Sequence, residues 1–151
     1  MKEVIVSVVK DLTDDTLLVI RDKSVESLFH RHESFPMDVK KIGQTAAQCA
    51  VETTHSKTGI IIQNPIEVAR VHVKMDDKDN DYEIVFFLST EFSGTLHPAK
   101  ETDVIWQKMS DLRTESRVVS HVILHINCNK YVKGTYNFAD EDFTVEESRD
   151  L

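Results

Sequence analysis

One stretch, Phe35 to Ile60, constrains this chain more than any other. It runs Phe35-Pro36-Met37-Asp38-Val39-Lys40-Lys41-Ile42-Gly43-Gln44-Thr45, continues through an alanine-containing segment, and closes on Thr58-Gly59-Ile60. Pro36 and Gly43 punctuate a loop. Thr45 is a good helix N-cap, and Gln48, three residues on, completes a capping-box pattern. Ala46, Ala47, Ala50, Val51 and Thr54 recur at helical spacing up to Lys57, and Gly59 supplies the stop. Ile60-Ile61-Ile62 then opens a strand. The unit is a loop, a short helix with a slim apolar face, and a strand, which suits close packing of the helix on a sheet.

The flanking sequence supplies that sheet. Glu3 to Val9 and Leu17 to Arg21 predict a strand hairpin across a polar turn, and Asp22 to His32 predicts a polar, basic loop. Glu67 to Lys74 alternates and Tyr82 to Thr90 is strongly strand-like, so an antiparallel pair is expected across the acidic Asp76–Asp81 loop. Gly94 breaks the pattern, and Thr102 to Lys108, with Val104, Ile105 and Trp106, predicts a further strand ending at the turn Ser110-Asp111-Leu112. Thr114 to Tyr131 predicts a second helix on the spacing of Val118, Val119, Val122, Ile123 and Ile126, ended by Gly134. Residues Thr135 to Leu151 form an acidic tail with aromatic anchors at Tyr136, Phe138 and Phe143, expected to dock loosely or fray.

Bulk properties exclude several classes. A chain of 151 residues fits one domain and buries about 70% of its unfolded surface without staples. The formal net charge of −8 argues against a nucleic acid partner, which needs Lys and Arg against phosphates. Apolar runs such as Ile84 to Leu88 are far shorter than the ~20 residues that span a bilayer, so no membrane partner is expected. Met1-Lys2-Glu3-Val4 does not read as a signal peptide. The two cysteines, Cys49 and Cys128, fall in helical patterns and read as small buried thiols, with a reducing cytoplasm as the expected location.

The order of elements, with the Phe35–Ile60 stretch in the middle, resembles the Nudix hydrolase (MutT-like) family. That family's box reads Gly, five residues, Glu, seven residues, Arg-Glu-apolar-x-Glu-Glu, one residue, Gly, apolar. With Gly59-Ile60 as the fixed end, its first Gly falls on Asp38, its Glu on Gln44, its Arg-Glu on Glu52-Thr53, its apolar position on Thr54, and its Glu-Glu on Ser56-Lys57. The spacing is kept without insertion, and Pro36, Gly43 and Thr58-Gly59-Ile60 match. Outside the box, Leu17 to Arg21 and Val104-Ile105-Trp106 with Ser110-Asp111-Leu112 look like the family's flanking strands. The resemblance, from about Val4 to Ile126, implies an α+β fold, an α/β/α sandwich with a mixed β-sheet flanked by helices. Residues 1–151 are read as a single such domain, with 135–151 as the acidic tail.

The family uses box carboxylates to hold Mg²⁺ or Mn²⁺, which neutralises phosphate and activates water. Here Thr53, Ser56 and Lys57 stand in their place, two hydroxyls and a cation. The resemblance therefore implies a fold whose usual metal-dependent pyrophosphohydrolase site is lost, with no metal and no cofactor expected, and with a nucleotide-like small molecule as ligand. Arg21, Arg31 and Lys57 are the candidate anion contacts. The alternative is an active hydrolase of a nucleoside diphosphate derivative, using Mg²⁺ or Mn²⁺ and substitute acids; Glu52 and Glu101 are its catalytic candidates, although Glu52 lies about 100° around the helix from the metal-facing position. Asp103, Asp38 and Glu33 read first as solvated acids. His30 and His32 with His55 are a zinc-type set, read first as polar loop residues around Arg31, and His121 and His125 as a polar helix stripe. A third reading is an interaction module that forms a homodimer through hairpin edges or the second helix. A cleft is expected between Phe35–Gln44, the end of Leu17–Arg21 and the Glu91–Glu101 loop.

Overall fold

The computed structural model describes residues 1–22, 33–97, 102–114 and 116–151. The elements are β1 (Lys2–Asp11), β2 (Thr16–Asp22), β3 (Glu33–Ser34), β4 (Met37–Val39), α1 (Ala46–Thr58), β5 (Ile60–Gln63), β6 (Ile66–Lys74), β7 (Tyr82–Ser89), β8 (Glu91–Gly94), β9 (Thr102–Lys108), α2 (Arg117–Asn127), β10 (Lys130–Asn137) and β11 (Asp142–Asp150). Among the described residues, nine strands form one mixed sheet with the path β11-β10-β6-β7-β1-β2-β3; β4 pairs with β1, and β9 with β2. The β1–β7 and β10–β6 pairs are parallel and the others antiparallel. β5 and β8 make a separate ribbon.

β1 explains the layering. Ile5 to Val9 is buried without interruption, the signature of a strand covered on both faces. Val6 and Val8 join Phe86, Val71 and Val73 in a core closed by Val118, Val122, Ile123 and Ile126 of α2. Ile5 and Val9 turn the other way, into a core with Val85, Phe87, Ile60, Ile62 and the Cys49–Ala50 face of α1. The result is the α/β/α sandwich expected, an α+β fold with one helix on each face of a mixed sheet. No helix among the described residues is long and apolar enough to cross a membrane.

The first half follows the sequence closely. Thr45 caps α1, its hydroxyl accepting from the Gln48 N–H at 3.1 Å while the Gln48 side chain accepts from the Thr45 N–H at 2.9 Å. The second half departs from it. α2 begins at Arg117 behind the Ser116 cap and stops at Asn127 rather than Tyr131. Asn129, with φ 55°, turns the chain in the left-handed region, and Lys130 begins a strand. Gly134 does not end a helix: it sits at a bulge of β10, where the Thr144 carbonyl of β11 approaches too closely for a Cβ. The acidic segment does not fray. It forms β11, antiparallel to β10 from Lys130↔Asp150 to Asn137↔Asp142, at the edge of the sheet. Cys128 is exposed at the end of α2, while Cys49 is buried as expected.

Candidate functional site

The loop that enters α1 is fixed by backbone bonds to β1. Ser7 N–H donates to the Pro36 carbonyl at 2.9 Å and Lys40 N–H to the Glu3 carbonyl at 2.9 Å, with β4 paired to Val4–Val6 between them. The turn before the cap is closed by Gln44, whose side-chain oxygen accepts from Lys41 N–H at 3.1 Å. Its amide donates to the Glu52 carboxylate, so Glu52 braces the turn from the exposed side of α1.

The positions that would carry the box carboxylates are occupied in other ways. Thr53 is buried, with its hydroxyl 3.8 Å from Cys49 Sγ. Burial pushes the Cys49 thiol above its ordinary value, which disfavours the thiolate a metal would need. The Thr54 hydroxyl lies 2.7 Å from both the Ser7 hydroxyl and the Ala50 carbonyl, and Thr58 donates to the Thr54 carbonyl at 2.6 Å. The buried face of α1 is thus a run of hydroxyls that satisfy one another and the backbone, which lets the helix lie close to β1. Ser56 donates to its own helix, to the Thr53 carbonyl at 3.4 Å. Lys57 reaches off the helix and donates its ammonium to the Met37 carbonyl at 2.6 Å. A hard divalent ion wants several anionic oxygens. This set offers a sealed hydroxyl, a weak neutral oxygen and a fixed cation, and it does not fit one. Among the described residues no cluster of three His, Cys, Asp or Glu could hold a metal.

Arg21 is committed elsewhere. Its guanidinium lies 3.5 Å from Glu33, whose side chain has no exposed area. Glu33 accepts from Gln107 Nε2 at 2.9 and 3.1 Å and from Arg113 N–H at 3.1 Å. The expectation of a solvated acid at Glu33 is therefore corrected. It is a buried staple that joins β3, β9 and the segment leading to α2, and Arg21 balances its charge. The structure does not bring Arg21 and Lys57 onto a common partner. Arg31, Glu101, His30 and His32 lie outside the described residues. His55 is exposed on α1. His121 stacks on Phe143 at 4.6 Å, and His125 Nδ1 lies 2.8 Å from the His121 carbonyl.

A cavity of about 550 Å³ opens beside this loop, on the α2 side of the sheet. Its floor is Val4 and Val6 of β1 with Ile84 and Phe86 of β7. Phe35 and Met37 close one side, Val118 and Val119 of α2 the other, and Lys2 and Tyr82 stand at one end. Met37 thus touches both features: its residue lines the cavity while its carbonyl holds the Lys57 ammonium. The expected cleft shares Phe35 and Met37 with this cavity, but its third wall is corrected. Residues 91–94 instead pair with β5, and His97 packs against Gly59. The β7 lining was missed because both faces of β7 are apolar, so alternation does not reveal which face is left uncovered. A larger groove of about 810 Å³ lies between the outer side of α2 and the β1–β2 turn, lined by Asp14, Asp15, Lys108 and Leu124.

No family model and no curated protein matches the sequence. Solved structures do match the fold. The MutT protein from Bacillus halodurans superposes with a TM-score of 0.74 at 17% identity, covering 99% of this chain and 97% of that one. The NUDIX domain of Shewanella oneidensis NrtR, solved in complex with ADP ribose, gives a TM-score of 0.64 at 12% identity over 83% and 86% of the two chains. A MutT NUDIX hydrolase from Burkholderia pseudomallei gives 0.61 at 12% identity over 81% and 96%. At such low identity the likeness is one of architecture, and on it, with the helix-on-each-face sheet described above, this chain has the Nudix fold.

Proposed function

We propose that this protein is a Nudix-fold ligand-binding protein that has given up metal-dependent pyrophosphate cleavage and binds a nucleotide-like small molecule in the cavity beside α2. The observation that carries this reading is the Lys57–Met37 bond: an ammonium is fixed on the loop where divalent-ion chemistry would need carboxylates. The Thr53 and Ser56 hydroxyls support it, being used within the helix. The cavity has the size and apolar lining of a small-molecule site. A fold neighbour solved with ADP ribose, and another described as an ADP compounds hydrolase, favour a nucleotide-like ligand for the same fold.

The test is calorimetric titration with ADP ribose and nucleoside mono- and diphosphates, in EDTA and in Mg²⁺ or Mn²⁺, beside product analysis of the same mixtures. Binding in EDTA without turnover in either metal is expected. Metal-dependent turnover that is lost in Glu52→Gln or Glu101→Gln would replace this reading with the hydrolase alternative.

A further inference from the structure

We propose that Lys2 is the charge-reading residue of the cavity beside α2, and that it selects ligands with a flat apolar body carrying one anionic group, a carboxylate or a phosphate, at one end. This inference rests on the cavity being the ligand site. It goes further by naming which residue reads charge, and it is not one of the cations singled out on α1 or β2.

Among the described lining residues, Lys2 is the only Lys or Arg and Glu33 the only Asp or Glu. Glu33 is out of reach: its side chain is wholly buried and bonded to Gln107 and Arg113. Lys2 is exposed at the start of β1, with its ammonium 5.3 Å from the centre of the Tyr82 ring. A cation over a ring face is held weakly and keeps its N–H donors open.

The strand register sets the spacing. β1 and β7 run parallel with Lys2 beside Tyr82, Val4 beside Ile84 and Val6 beside Phe86. These pairs lie on one face at two-residue steps. Each step is about 7 Å, so the Lys2–Tyr82 pair stands about 7 Å along the strands from the first apolar row and about 14 Å from the second. An aromatic or similarly flat body fits on the Val4, Ile84 and Phe86 rows, with its anion beyond Tyr82 at Lys2. Both carboxylates that flank Tyr82 in sequence are already bonded, Asp81 to the Met75 N–H and His72, and Glu83 to Arg70.

The experiment uses the full chain and two fluorescent naphthalene probes, anionic 8-anilinonaphthalene-1-sulfonate and neutral N-phenyl-1-naphthylamine. Each is titrated into wild type, Lys2→Gln, Lys2→Glu and Val119→Trp, with far-UV circular dichroism confirming the fold. Lys2→Gln is expected to weaken the anionic probe about fivefold and Lys2→Glu further, with the neutral probe unchanged. Val119→Trp, which fills the cavity, is expected to lose both. Equal affinity of the anionic probe for wild type and both Lys2 variants, or a parallel loss of the neutral probe, overturns the assignment to Lys2. If the neutral probe still answers to Val119→Trp in that case, the cavity remains the ligand site and only the role of Lys2 falls. If neither probe binds wild type, or Val119→Trp keeps both, the cavity reading falls and this inference with it. Displacement of the anionic probe by indole-3-acetate and by adenosine monophosphate then separates a carboxylate from a phosphate.

Discussion

Glu33 is the side chain whose environment differs most from its type. A buried carboxylate is tolerated only when its lone pairs are filled and its charge is balanced. Gln107, the Arg113 N–H and Arg21 do this together. The consequence is positional: Glu33 ties β3 to residues 107–113, the run that leads into the α2 wall of the cavity. Truncation to alanine leaves the Arg113 N–H and the Gln107 amide without their acceptor, at a cost of about 2–3 kcal/mol. Glu33→Gln keeps an acceptor and is expected to cost about half as much. Urea unfolding midpoints check both values, and a Glu33→Ala midpoint equal to wild type would remove the staple from this account. Lys57 belongs to the same scale with the opposite weight. It is exposed, and its single bond to the Met37 carbonyl is worth under about 1 kcal/mol.

At the scale of elements, α1 is bounded by local chemistry at both ends. Gly59 has φ 84°, and a Cβ there would meet the Thr95 carbonyl at 2.2 Å; Gly43, in the turn before α1, has φ 82° with nothing within 4 Å. Both alanine substitutions lose the left-handed preference of glycine, about 1–2 kcal/mol, but only Gly59→Ala adds a backbone clash. Thermal melts should therefore place Gly59→Ala well below Gly43→Ala, and equal melting temperatures would argue that Thr95 and His97, just after β8, do not press on the end of α1. This locality is why α1 was legible in the sequence: cap, helix and stop lie within fifteen residues and need no partner. β9 was legible for a related reason, its apolar run being bounded by turn residues. The end of α2 was not. Tyr131 and Val132 continue an apolar pattern that a helix would accept, and they become strand only because β6 and β11 offer pairing partners more than ten residues away. The identities of Thr53, Ser56 and Lys57 were readable directly, whereas their bonds within α1 and to the Met37 carbonyl were not. The cavity was not, because its floor combines β1 and β7, which are apolar on both faces.

Over the whole molecule, the C-terminal hairpin is joined to the sheet by charge as well as by backbone pairing. Tyr131 of β10 donates its hydroxyl to Glu67 at 2.9 Å; Arg70 binds the same carboxylate at 2.7 Å and also Glu83; and Arg149 of β11 covers the Tyr131 ring at 4.2 Å. Burial alone would raise Glu67, but the bonds from Arg70 and Tyr131 outweigh it and hold Glu67 below its ordinary 4.5. The folded state therefore binds fewer protons at Glu67 than the unfolded chain does. Its contribution is complete above pH 4.5 and is lost as pH falls through the folded value. Asp81, held low by the Met75 N–H and His72, and Asp150, held low by Lys130, act in the same direction. Tyr131 gives the opposite limb. Burial and the Glu67 carboxylate push it up to about 12, so its contribution is complete below pH 10 and is lost as pH rises towards 12. Unfolding free energies measured across both limbs separate the partners. Glu67→Gln is expected to flatten the acid limb in part, leaving the share due to Asp81 and Asp150, and to reduce the alkaline limb because the negative charge that disfavours the tyrosinate is gone, although the glutamine carbonyl still accepts from the hydroxyl. Tyr131→Phe is expected to remove the tyrosine part of the alkaline limb and only a fraction of the acid one, since Arg70 still holds Glu67. If neither variant changes either limb, the hairpin is held by its backbone ladder alone, and the ion network beside it is a surface feature with no part in stability.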